Sequence, residues 1–363
     1  MKLVIFGLSI SSSWGNGHAT LWRGLCRALA ARGHRVEFFE RDLPFYAGAR
    51  DYTELPNGGL HFYSAWPDIA SAARHHLSDA DVGMVTSYCP DAVEASNLLC
   101  EMGGALPVFF DLDTAVTLDR LDRGERVEYI PPDGLRRFEL VLSYTGGIAL
   151  AALRDDLGAK LVHPLYGWVD PETHFPRAPA PEFESDLSYL GTYAADRQAG
   201  VERLFVEPAR RRPQMRFIMA GAQYPHDFPW SSNIFFMRHL PPSYHPALFA
   251  SSRITLNVTR RAMAQYGYCP SGRLFEAAAC RTPILSDYWL GLEEFFRPGE
   301  EIFIAETTEE ALEILDLPAS ELDRVSQRAY DRTLSEHTSD VRARELEQIL
   351  DNVHNAAPAG ANA

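Results

Sequence analysis

A chain of 363 residues is longer than one hydrophobic core usually serves, and it predicts two domains. Hydrophobic residues make up 46% and charged residues 23%, the balance of a globular chain, while a formal charge of −15 argues against a broad nucleic-acid surface. No run of about 18 apolar residues offers a membrane span. The five cysteines (Cys26, Cys89, Cys100, Cys269, Cys280) form no Cys-x-x-Cys pair, so neither a disulfide framework nor a cysteine zinc site is expected and the cytoplasm is the default location. Lys2 and Lys160 are the only lysines, so a phosphate grip must come from Arg, His or backbone N–H groups.

The N-terminal run Leu3–Ser9 reads as a buried strand rather than a signal peptide. Ala19–Ala31 is helical with Gly33 at its C-terminal cap, and Arg35–Glu40, Leu60–Ser64 and Val82–Ser87 are strands. Ala92–Met102 is a helix, Pro107–Asp111 and Leu140–Ser143 are strands, Ile148–Leu157 is a helix, and Lys160–Leu165 closes the set. Residues 171–186 form a proline-rich linker, after which the alternation restarts. Leu187–Leu190, Arg216–Ala220, Ile234–Arg238, Ile254–Val258, Pro283–Ser286 and Glu301–Ala305 are the strands of the second set. Ala199–Arg211, Pro246–Ser251 and Leu274–Cys280 are helices between them, and Thr307 with Glu310 caps another. Ser320 to Asn355 is helical throughout, and residues 356–363 look like a frayed tail. This alternation predicts two doubly wound α/β domains, each with ligands at the C-terminal ends of its strands. The expected boundaries are 1–170, 187–335 and a last helix over 336–355.

Several strand-end loops carry chemistry. Ser11–Thr20 opens the first helix with Gly15, Asn16, Gly17 and His18 over its N-terminus. A dinucleotide fingerprint with Glu37 or Glu40 holding a ribose is one reading, although Thr20 replaces the third glycine. A substrate loop with His18 as acid or base is another, and a plain capped glycine turn a third. Asp111 and Asp113 alternate onto one face at a strand end, suited to an acceptor hydroxyl, a partner for His18, a metal or a helix cap. Thr145 and Gly146 lie in a strand-to-helix turn of anion-binding type.

In the second half, Arg197 opens a helix against the dipole, and Arg260 follows a strand. Gly221 ends another strand. Ser271, Gly272 and Arg273 form a turn feeding a helix, with free N–H groups for an anion. Glu276 lies one turn beyond Arg273 on the same face, placed to accept ribose hydroxyls. Arg197, Arg260 and Arg273 are the candidate clamp for a diphosphate. The competing interpretation of this segment is a capped amphipathic helix with an incidental ion pair.

With these residues in hand, the chain resembles GT-B glycosyltransferases of the group 1 type, in their CgeB-like (spore maturation protein) branch. Gly167-Trp-Val-Asp-Pro-Glu-Thr-His-Phe-Pro176 is similar to the group's Asn-Gly-Val-Asp-Pro-x-x-Phe-x-Pro segment. Leu190-Gly-Thr-Tyr-Ala-Ala-Asp-Arg197 resembles the opening of its C-terminal domain, and Asn257–Met263 with Pro270–Asp287 resemble its donor site. The resemblance runs from about residue 3 to Thr338.

It implies two Rossmann-like domains facing across a cleft, with a final helix returning to the first. It also implies a nucleotide-sugar donor, UDP-sugar favoured, with Ser271–Arg273 at the diphosphate and Glu276 at the ribose. Tyr268 stands where the group shows a Glu, eight positions before Glu276, and Arg281 where it shows Gly before Thr-Pro. Sugar identity and stereochemistry therefore stay open.

The expected activity is transfer of a sugar to a hydroxyl acceptor (a glycan, lipid-linked sugar, small molecule or protein), without a metal or other cofactor and with retention. If the reaction inverts, His18 oriented by Asp113 is the general base. An epimerase-type enzyme, a non-catalytic nucleotide-sugar-binding protein and modification of a nucleic-acid base are the alternatives, the last disfavoured by charge.

Overall fold

The computed structural model describes residues 1–356, so the tail expected over 356–363 lies, from residue 357, outside the described residues. Apolar runs of the first half form β1 (Lys2–Gly7), β2 (Arg35–Arg41), β3 (Gly58–Tyr63), β4 (Val82–Thr86), β5 (Leu106–Asp111), β6 (Leu140–Ser143) and β7 (Val162–Pro164). They pair in parallel in the order β3-β2-β1-β4-β5-β6-β7. Helices cover both faces of a parallel sheet, which is why Leu3 to Phe6 and Leu140 to Leu142 are uninterrupted apolar runs and fully buried. In the second half, β8 (Ser185–Leu190), β9 (Phe217–Gly221), β10 (Ile234–Arg238), β11 (Ser252–Asn257), β12 (Ile284–Ser286) and β13 (Phe303–Ile304) form a second parallel sheet. Its order is β10-β9-β8-β11-β12-β13. Both are Rossmann-like arrangements, and each reverses its strand order once, at β1/β4 and at β8/β11. Ligands of such sheets bind at that reversal, outside the carboxyl ends of the strands.

The chain divides into two units. One is Met1–Tyr166 together with the helix Ser339–Ala356, and the other is Gly167–Thr338. The last helix packs on Gly17–Ala31, where Glu347 receives Arg32 and His34 and Asp340 receives Arg27. The proline-rich segment goes with the second unit, since Ala180 N donates to Ser251 Oγ at 2.8 Å and Phe183 is buried. The helical stretch from Ser320, with a last helix expected over 336–355, is two helices, Ala319–Glu336 and Ser339–Ala356. Between them His337 packs against Phe275, Phe295 and Phe296, and its carbonyl accepts Val169 N at 2.9 Å.

Other differences are local. Helices at Pro44–Ala47, Trp66–Leu77, Thr114–Asp122 and Arg261–Tyr266 add to those expected. Trp66–Leu77 escapes periodicity because only Ala73 and Leu77 of its twelve residues are buried. The helix expected at Ala199–Arg211 begins at Gln198 and carries a π turn over Glu202–Val206. No helix among the described residues is long and apolar enough to cross a membrane.

Candidate active site

The loop after β1 is built around one carboxylate. Glu40, at the end of β2 and fully buried, accepts Ser9 Oγ at 2.9 Å, Ile10 N at 2.8 Å, and Ser11 N and Oγ at 3.0 and 2.6 Å. Glu37 is equally committed, to Arg35 and His61 at 2.6 Å each. Neither carboxylate is left for a ribose, so the dinucleotide reading fails on this loop. Asn16 caps the first helix: its Oδ1 accepts His18 N at 3.1 Å and its Nδ2 donates to Ser9 and Ser12 carbonyls. Gly15 sits at φ +59°, where only glycine is unstrained, while Gly17 is simply exposed.

The capped helix carries His18 to Asp113, the residue that precedes the helix Thr114–Asp122. His18 Nε2 lies 2.5 Å from Asp113 Oδ2. With Nε2–H donating, the lone pair falls on Nδ1, which is buried and has no hydrogen-bond partner. Asp111 behaves differently from the expectation that it shares a cleft with Asp113. The strand stops at Asp111 and turns at once into a helix, so period-two alternation does not reach Asp113. Asp111 is fully buried; its Oδ1 accepts Asp113 N at 2.9 Å, and burial, reinforced by Asp113, pushes its carboxyl up to about 7. Thr145 and Gly146 are also interior. Ser143 Oγ closes the turn on Thr145 O at 2.6 Å, and a Cβ at Gly146 would lie 2.1 Å from the Tyr166 hydroxyl.

In the second unit the reversal point is cationic. Arg197, between β8 and its helix, is 8% exposed, and its Nε has no hydrogen-bond partner. Burial first, then the charges of Arg273 and Arg260, hold its guanidinium below the usual range. Arg260 follows β11 and donates from Nε to Asp196 at 2.9 Å, and the same carboxylate accepts Arg261 N at 3.0 Å. Ser271 precedes the helix Gly272–Ala279 and makes no side-chain cap, so the first N–H groups of the helix are not capped by it. Arg273 and Glu276 are half-buried on that helix. Gly221 has a packing role: a Cβ there would lie 1.9 Å from the Gly191 carbonyl.

Residues that sequence reasoning passed over complete both edges. Tyr88, after β4, adopts φ +59° and packs edge-on against His18 with ring centres 6.0 Å apart. Tyr224 donates to Gly191 O at 3.0 Å within a group of aromatic rings that includes Tyr193, Phe228 and Trp230. An isolated aromatic after a strand carries no motif. Tyr268 is also left-handed, at φ +46°, with its ring where a Cβ on Gly291 would fall. Arg281 takes φ +58° as the αL residue of a Schellman close, with Thr282 N bonded to Ala277 O and its own N to Ala278 O, which explains why a glycine suits that position. Two His/Glu groups among the described residues have metal-type spacing, Glu37–His61–His76 and His174–His245–Glu276. In the second group burial pushes both imidazoles down to about 4.

Comparison with known proteins agrees with this architecture. Residues 197–348 match a family described as Glycosyl transferase-like, a span that includes Arg197, Arg260 and the Ser271–Glu276 turn. No curated protein matches the chain in sequence. Among solved structures, sucrose-phosphate synthase from Thermosynechococcus elongatus superposes with a TM-score of 0.70 at 13% identity, over 98% of this chain and 100% of that one. Anabaena HepE, solved with UDP and glucose, gives 0.65 at 12% identity, over 97% and 100% of the two chains. An alpha-glucosyltransferase in complex with UDP and a 13-mer DNA gives 0.67 at 10% identity, over 97% and 99%. The fold is thus that of GT-B glycosyltransferase structures.

Proposed function

We propose that this chain is a glycosyltransferase of the group 1 type, in its CgeB-like branch, moving a sugar from a nucleoside diphosphate donor to a hydroxyl acceptor. The observation that carries this reading is Arg197: a buried guanidinium with an unbonded Nε, pushed together with two further arginines at a sheet reversal. A buried guanidinium crowded by two further arginines is costly unless an anion joins it. The match of residues 197–348 to a glycosyltransferase-like family supports the same assignment.

The diphosphate gains charge as its bond to the sugar breaks, and arginines with a helix N-terminus stabilise that charge without a metal. Glu276 accepts the ribose hydroxyls one helical turn deeper, and a UDP-sugar is the favoured donor. Tyr268, in place of a carboxylate, leaves the sugar itself to be read by other groups. Retention follows from the resemblance, with a donor phosphate oxygen taking the acceptor proton. In the inverting alternative, Asp113 holds His18 by Nε2–H and Nδ1 takes that proton as the acceptor oxygen attacks. The five free, scattered cysteines suit a cytoplasmic setting.

The test is a thermal-shift panel of nucleotide sugars with UDP and GDP as controls. Stabilisation by a nucleotide sugar and its parent diphosphate is expected. Stabilisation by NAD alone would overturn the assignment. Tyr268 favours one second reading, a non-catalytic nucleotide-sugar-binding protein, which predicts the same stabilisation with neither transfer nor donor hydrolysis.

A further inference from the structure

Three segments of the second unit bring His174, His245 and Glu276 together, with one nitrogen or oxygen of each within 4.8 Å of the others. No hydrogen bond joins them. His174 is 3% exposed and its Nε2 has no partner, a condition that costs about 1–3 kcal/mol in a folded chain. His245 Nε2 lies 3.1 Å from the Leu240 carbonyl. Donating there fixes the tautomer and leaves Nδ1 as a lone pair, the arrangement that orients metal-bound imidazoles. Glu276 adds a half-buried carboxylate.

Two imidazoles and one carboxylate are a zinc-type donor set. Tetrahedral bonds of about 2.0–2.2 Å place ligand atoms roughly 3.3–3.6 Å apart, so closing the site takes a side-chain approach of at most about 1.5 Å. Magnesium prefers an octahedron of oxygens and does not suit it. The other group is less free, because Glu37 is already bonded to Arg35 and His61.

We propose that His174, His245 and Glu276 bind a zinc-type transition-metal ion, and that this ion inhibits by taking the carboxylate needed for the donor. The inhibitory role rests on the assignment of Glu276 to the donor ribose; the metal site does not.

The full chain is loaded with Zn2+, with Mg2+ as control, freed of unbound metal, and its metal content measured. Wild type and His61→Ala are expected to hold about one zinc more per chain than His174→Ala or His245→Ala. Co2+ in the wild type is expected to show the visible absorption of a tetrahedral site, a readout that needs no variant. Zinc-loaded wild type is expected to bind UDP about tenfold more weakly than chelator-treated protein, whereas His174→Ala binds UDP equally in both states. Equal zinc in wild type and both variants, or no tetrahedral cobalt spectrum, overturns the site. Zinc that leaves UDP affinity unchanged overturns the inhibition. If UDP binds in no form while the zinc difference persists, the donor reading fails and the ion site stands.

Discussion

Where the first sheet reverses between β1 and β4, the loop after β1 carries His18, which meets Asp113 just beyond the neighbouring β5, the strand that ends in the buried acid Asp111. Where the second reverses between β8 and β11, the loops carry Arg197 and Arg260, with Arg273 close enough to perturb Arg197. Equal topology thus supports opposite electrostatics. The loop at the first edge is bonded within itself, Glu40 taking four donors and Asn16 capping the helix, which leaves His18 Nδ1 and Asp111 Oδ2 buried without a hydrogen-bond partner. The second edge is left with cations in excess. An edge with a histidine–carboxylate pair and a perturbed buried acid suits proton handling, and an edge with a buried guanidinium crowded by others suits an anionic ligand.

The largest expected effects break that contrast. Arg197→Gln should weaken nucleoside diphosphate binding by about 100-fold, the loss of charge-assisted hydrogen bonds worth roughly 1.5–3 kcal/mol. The melting temperature of the unliganded protein should not fall, because the substitution removes a buried charge crowded by two others. A lower melting temperature with unchanged binding would make Arg197 structural. His18→Ala discriminates next. Loss of turnover by about 10²–10⁴-fold with donor binding intact marks general-base catalysis and inversion, and a modest loss marks retention.

Asp111 gives a smaller, pH-dependent effect. Its folded pKa of about 7 lies above the unfolded value of about 3.9, so the folded chain keeps a proton that the unfolded chain loses. The stability it contributes is full below about pH 4 and is lost as pH rises through 7, an effect on the order of a few kcal/mol. Denaturant titrations of Asp111→Asn should therefore decline less than wild type over that interval. Parallel curves would mean that the carboxyl is ionised throughout. The smallest effect is at Arg281, where glycine removes a left-handed side chain and should raise the melting temperature by an amount equivalent to about 1 kcal/mol or less.

Legibility of the sequence followed local determination. Parallel strands buried on both faces are continuous apolar runs, so both sheets could be read in chain order. The arginine edge was readable too, because charge at a strand end against a helix dipole is a local anomaly. Asp111, Thr145 and Gly146 were misplaced because strand alternation says nothing once the chain turns into a helix. Gly221 owes its position to a neighbouring strand's carbonyl, and Glu40 to a loop some thirty residues earlier. Tyr88 and the convergence of His174 with His245 and Glu276 depend on contacts between distant segments, which no spacing encodes.

The most direct test of the central claim is a calorimetric titration of wild type and Arg197→Gln with UDP and with uridine. The account predicts that UDP binds wild type about 100-fold more tightly than uridine does, and that Arg197→Gln removes most of this difference. Equal affinity of UDP and uridine for the wild type would contradict it.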